Sequence, residues 1–313
     1  MVDYTFASAY LGTKQSSLLS KEHFLELRKV SDENFVLKLH SFGYGLGHQN
    51  SSLHKLVDGE ILHLKKELLE VVQNDQLVMI FFTNYDLVNI RSFYKKKLFQ
   101  IKDEVFIEAG FIKEKVLRDA FVFDDYTNLI EPYKTLLLKT NEKSFNNVNE
   151  LATYLQLTFQ DLLYEKIIKS KDQSLLIYFQ MSTDISNLLT MLRFRKMKLK
   201  MDELSLHLLT HGTLEVGDIK KIAGASDDEL FNKFANLYMG QFAKPLEEAL
   251  KTHDHALLEQ RLLLLLIEEL KPLEINLESS AAIIKYVILK QIEVIDLRRL
   301  YANRDVLLMS EIK

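Results

Sequence analysis

Asp86-Leu-Val-Asn89-Ile90-Arg91 recurs as Asp184-Ile-Ser-Asn187-Leu188-Leu189 and again as Glu293-Val-Ile-Asp296-Leu297-Arg298. The shared pattern is an acid, two residues, an amide or acid, and then an aliphatic. Aligned on the fourth position, the copies lie 98 and 109 residues apart. An apolar segment precedes each: Val78–Phe82, Leu175–Phe179 and Ile283–Leu289. Bulky apolar and basic residues follow each one. They are Phe93, Tyr94 and Lys95–Lys97, then Met191, Leu192, Arg193, Arg195 and Lys196, then Leu300, Tyr301 and Arg304. The first two copies continue alike, through Asp103-Glu104, Gly110 and Val116-Leu117 and through Asp202-Glu203, Gly212 and Ile219. The third reaches Lys313 soon after its motif. This period predicts three tandem related units, 1–124, 125–224 and 225–313.

The units read as all-α. In Ser52–Gln73 the apolar Leu53, Val57, Ile61, Leu64, Leu68 and Val71 step by three or four, with Lys55, Asp58, Lys65, Glu67 and Glu70 on much of the other side. That is one buried stripe on an amphipathic helix. Lys21–Val30, Val148–Ser170, Asp227–Lys251 and Ala256–Leu270 read the same way. Leu262–Ile267 is apolar all round, which predicts a centrally buried helix. Breaks are expected at Ser41–Ser52, Asp124–Asn128, Thr140–Asn149 and Gly224–Asp228.

Composition agrees. The 313 residues include only 10 Gly and 3 Pro, too few for sandwiches, barrels or propellers, which need frequent turn residues. A 47% hydrophobic content supplies a core and excludes disordered classes. A net charge of −4 offers no global basic field to nucleic acid. With no Cys, disulfides, thiol catalysis and thiolate zinc sites are excluded. Met1-Val2-Asp3-Tyr4 has neither a basic nor an apolar leader region, and no apolar run approaches the ~20 residues of a bilayer span. A soluble intracellular chain is the expectation.

The acid and amide of each motif share a helix face beside the apolar stripe. Asn84 or Ser182 would cap a helix start, but Tyr286–Leu300 reads as unbroken helix through Glu293. The preferred reading is therefore a mid-helix polar pair that bonds a neighbouring helix end and sets helix register. The triplicated motif with its basic followers resembles the C-subunit family of the V/A-type rotary ATPases, which includes the d subunit of the vacuolar proton pump. Tyr4-Thr-Phe6-Ala7, Leu18-Leu19-Ser20, Leu39-His-Ser41-Phe-Gly-Tyr44-Gly45 and Glu293-Val-Ile-Asp296-Leu297-Arg298-Arg299-Leu300 carry further likeness along the chain. The resemblance implies three similar helical domains around a pseudo-threefold axis, shaped as a funnel or socket. It also implies a non-catalytic rotor adaptor between the central stalk and the membrane rotor ring, on the cytoplasmic side, coupling ATP turnover to proton or sodium transport.

No catalytic, cofactor-binding or metal-binding residue is expected on that reading. Nothing matches a Walker-type loop, and Gly43-Tyr-Gly45-Leu-Gly47 reads as a turn. Glu203, His207 and His211 at helical spacing offer an alternative, a metal-dependent helical enzyme; a general helical scaffold is a third reading. The motif residues Asp86, Asn89, Asp184, Asn187, Glu293 and Asp296 are expected to be structural. Lys95, Lys96, Lys97, Arg193, Arg195, Lys196, Arg298, Arg299 and Arg304 are the candidate contacts to acidic partners, as three basic clusters forming a collar.

Overall fold

The computed structural model describes residues 3–45, 52–101, 106–306 and 308, with Met201 and Asp202 described through their backbone only. Among them the secondary structure is helical throughout, without a strand. Three long hairpins form the framework: α4 (Leu53–Val71) with α5 (Asp75–Phe99), α8 (Val148–Ser170) with α9 (Gln173–Lys196), and α14 (His255–Leu270) with α15 (Ala281–Ala302). The second helix of each hairpin carries the repeated motif at mid-length. Short helices lie before and between the hairpins. They are α1 (Thr5–Lys14), α2 (Lys21–Lys29) and α3 (Asp32–Ser41) before α4, then α6 (Glu114–Val122) and α7 (Tyr133–Asn141). Before α14 come α10 (Met201–Leu204), α11 (Val216–Ala223), α12 (Asp227–Ala235) and α13 (Ala243–Thr252).

Local chemistry sets these starts. Asn74, Asn147, Asp172 and Asp254 each cap a long helix by accepting from a backbone N–H of its first turn. Ser20 and His23 form a reciprocal capping pair on α2, as Ser226 and Glu229 do on α12. The Leu262–Ile267 stretch lies in α14, which packs against both α9 and α15, and its Leu262 and Leu266 are fully buried. Most of the core is one contiguous cluster through the hairpins. A second, smaller core joins α2 and α3 to the start of α4 and the end of α15.

One expected helix is broken. Asp227–Lys251 divides into α12 and α13 around Leu237–Gly240, where Tyr238, Met239 and Gly240 all take positive φ. The apolar period runs on through the break, since Leu230, Phe234, Phe242 and Leu246 are all buried. The backbone turns there for a polar reason, met below. Asp103-Glu104 and Gly47 lie outside the described residues, as does most of the expected break after Gly45.

Candidate functional site

Each motif acid and the polar residue three positions on are buried mid-helix, with Asp86, Asp184 and Asn187 fully so. In α5, Asn89 Nδ2 donates to the Ile107 carbonyl at 2.9 Å and its Oδ1 accepts from the Ile107 N–H at 2.8 Å. Asp86 Oδ1 accepts from Ile112 N–H at 2.9 Å and Oδ2 from the Tyr133 hydroxyl at 2.6 Å. In α9, Asn187 makes the same two-point bond to Leu209, at 2.9 and 2.7 Å. Asp184 accepts from Thr213 and Leu214 N–H and from the Tyr238 hydroxyl at 2.9 Å. The break between α12 and α13 is what delivers Tyr238 to that carboxylate.

The pairs thus clamp a loop that leads into a short helix, rather than bonding a helix end. Between the clamped residues sits Gly110 or Gly212. A Cβ on Gly110 would stand 2.6 Å from Asp86 Oδ1, and one on Gly212 would collide with Asp184 Oδ1. Backbone can approach the carboxylates this closely only without a side chain. Burial pushes the Asp86 carboxyl up to about 6, against the bonds from Tyr133 and Ile112, and raises Asp184 in the same way.

The third motif clamps the other end of the chain. Glu293 Oε2 accepts from Leu19 N–H at 2.7 Å, across 274 residues. Leu19 stands two residues before α2, as Ile112 does before α6 and Leu214 before α11. Phe24, Leu117 and Ile219, each five residues further on, are all buried. Asp296 accepts from Gln260 Nε2 at 2.8 Å, and Arg299 bonds Gln260 and Asp254.

The basic followers are put to use in a matching register. Lys97, Arg195 and Arg304 each lie eight residues past the fourth motif position. They pair with Asp124, Asp227 and Asp32, at 3.7, 2.5 and 2.5 Å, just beyond the ends of α6, α11 and α2. Arg195 also donates to the Ala223 and Ala225 carbonyls, where a cation complements the end of α11. These three, with Arg299, are engaged within the chain. Lys96, Arg193, Lys196 and Arg298 are exposed, and Lys95 is half-buried.

The three motif helices meet around a cavity of about 540 Å³, completed by α4 and α14. Asn84, Ser182 and Gln291 line it from one register, five residues before the fourth motif position, so the first two are wall residues and not caps. Among the described residues, Arg193, Arg298 and Lys290 bring three cations to its wall against the single carboxylate of Glu259.

The alternative metal ligands do not share a helix face. Glu203 is on α10, which ends at Leu204, and His207 lies in the following turn against Phe194. His211 has positive φ, bonds Asp161 at 2.8 Å and stacks on Tyr164 at 4.0 Å. Among the described residues no group of three His, Asp or Glu side chains could hold a metal ion. Gly45 N–H is taken by Glu60 Oε1 at 2.8 Å, so a carboxylate occupies the amide that a phosphate loop would offer. Sequence reasoning missed Tyr133, Tyr238, Gln260 and Lys290, which sit outside any shared spacing.

No helix among the described residues is long and apolar enough to cross a membrane. No curated protein matches the chain. Residues 7–302 match the family described as ATP synthase (C/AC39) subunit. With that match running over nearly all of an all-helical chain, the protein belongs to the V/A-type ATP synthase C/AC39 subunit family.

Proposed function

We propose that this chain is a non-catalytic rotor adaptor that seats the foot of the central stalk in the cavity between α5, α9 and α15. On this reading another face rests on the cytoplasmic side of the membrane rotor ring. Torque then passes through the chain between ATP turnover and proton or sodium transport. The observation that carries the reading is the cavity itself, whose wall is drawn from all three motif helices in one register. A stalk tip held there would touch elements from the whole length of the chain. The clamps behind the wall tie each motif helix to its neighbouring loop, which suits a part that transmits load.

The recurrence of the clamp favours three related units about a pseudo-threefold axis, open as a socket. Its register argues for units that begin at α2, α6 and α11 and end with α5, α9 and α15. The cavity's excess of cations favours a stalk tip bearing acidic or amide side chains. Arg193 and Arg298 are the proposed contacts there, and Lys95, Lys96 and Lys196 are proposed contacts on the outer surface.

The test is a reconstituted complex carrying Arg193→Glu and Arg298→Glu together. Both residues are exposed, so the fold should tolerate the changes. The expected result is loss of central-stalk binding, with ATP hydrolysis continuing in the soluble head while ion transport stops. Unchanged stalk binding and coupling would overturn the reading.

A further inference from the structure

The stretch Leu19–Gly45 is fastened at both ends to glutamates that share one lysine. At its start, Leu19 N–H donates to Glu293 Oε2. At its end, Gly45 N–H donates to Glu60 Oε1. Lys290 Nζ stands 2.6 Å from Glu293 Oε1, 2.9 Å from Glu60 Oε2, and 4.7 Å over the ring of Tyr44. Between the two fastenings, α2 and α3 pack in the smaller core, apart from the main one.

In the other two clamps no lysine among the described residues bonds the motif acid; at the first, Lys65 donates instead to the Glu108 and Gly110 carbonyls of the clamped loop. Asp86 and Asp184 each take a tyrosine hydroxyl, whereas the Tyr44 hydroxyl beside the third clamp is buried with no hydrogen-bond partner among the described residues. Lys290 also lines two cavities at once. One is the cavity between the motif helices, and the other, about 240 Å³, is walled by Lys14, Ser17, Glu60, Glu67 and Tyr286. The residue is 9% exposed; burial lowers its pKa, but Glu293 and Glu60 outweigh this and keep it charged.

We propose that Leu19–Gly45 is a flap latched by Lys290, and that an acidic group entering the central cavity draws Lys290 away and releases it. The second half rests on the docking reading above; the latch stands on the chain's own geometry. Withdrawing the ammonium leaves half-buried Glu60 and buried Glu293 with unbalanced charge, and both backbone fastenings end on those carboxylates. The flap packs on the start of α4 and the end of α15 in a core separate from the main one, so it can lift off locally while the hairpins stay folded.

Amide hydrogen exchange on the full chain tests this. In Lys290→Met, amides of Leu19–Gly45 should exchange at least about tenfold faster, because two closely placed acids lose the cation between them. Those of Ile107–Ile112 and Leu209–Leu214 should not change, and Lys290→Arg should restore the flap. An unchanged flap, or equal acceleration of all three segments, would overturn the latch. If Lys290→Met does not fold, the wild-type chain decides: flap amides must exchange ahead of those in α8 and α9, and equal protection overturns the latch.

A second arm adds the purified central stalk at saturation. Faster flap exchange is expected. If the stalk binds and the flap is unchanged or slowed, the coupling fails while docking stands. If no binding occurs, the docking reading and the coupling fall together, and the Lys290→Met arm still decides the latch.

Discussion

Asp86 shows why a buried carboxylate can be both costly and hard to replace. Removing it by Asp86→Ala leaves Ile112 N–H and the Tyr133 hydroxyl without an acceptor in a fully buried site. The expected loss is about 3 kcal/mol in urea unfolding. Asp86→Asn keeps one acceptor and turns the other bond around, so it should cost less than half as much. The folded carboxyl titrates near 6, against 3.8 for the free group. Stability from this group is therefore fullest below pH 3.8 and is lost as pH rises through about 6. Asp86→Asn should flatten that fall, read as the difference in unfolding free energy between pH 4 and pH 7. Gly110→Ala should cost about 2 kcal/mol, because its Cβ meets the Asp86 carboxylate. Gly217→Ala, in α11 with open space around it, should be neutral or stabilise by up to about 1 kcal/mol. At this scale the motif positions repeat in the sequence while their partners do not. The acid, the amide and the glycines recur in order, but Tyr133 and Tyr238 lie 47 and 54 residues past their acids. That uneven spacing, across loops of different length, leaves no repeat to read.

Among elements, the long helices were legible because their apolar stripes and caps agree, as in α8, whose ends match the expectation Val148–Ser170. The α12–α13 break was not, because the buried period continues across it while the backbone follows a hydrogen bond. Gly240 was the available signal, one residue beyond two others that also adopt left-handed φ. Met239 is 89% exposed and holds φ 56, so its side chain gains nothing to offset the strain. Met239→Gly is expected to raise the thermal midpoint, with a gain of up to about 1 kcal/mol. Tyr238→Phe should lower stability by about 1 kcal/mol through the lost bond to Asp184. If Tyr238→Phe were neutral, the kink would need another cause than that carboxylate.

For the whole molecule, the start of the chain packs back against its last long helix. The third clamp is completed at Leu19, a juxtaposition no linear period reveals, since the segment that answers Glu293 precedes it by 274 residues instead of following it. Scarce Gly and Pro then make physical sense, because a chain closed on itself through packed helices offers few places to bend. The closure has a second fastening beyond Glu293. Arg28 donates to the Arg304 and Val306 carbonyls, Arg304 pairs with Asp32, and Leu308 is buried in the smaller core. Ending the chain at Ala302 removes all of these together, for a local loss on the order of 3 kcal/mol. That loss should fall on α2 and α3 alone: limited proteolysis should cut between them at Val30–Ser31 while α8, α9 and α14 stay protected. The hairpin core shares no buried residue with the flap except through α4 and α15, so nothing forces the two to melt together. Concerted loss of protection across all helices would instead mean that closure through the chain ends holds the entire fold.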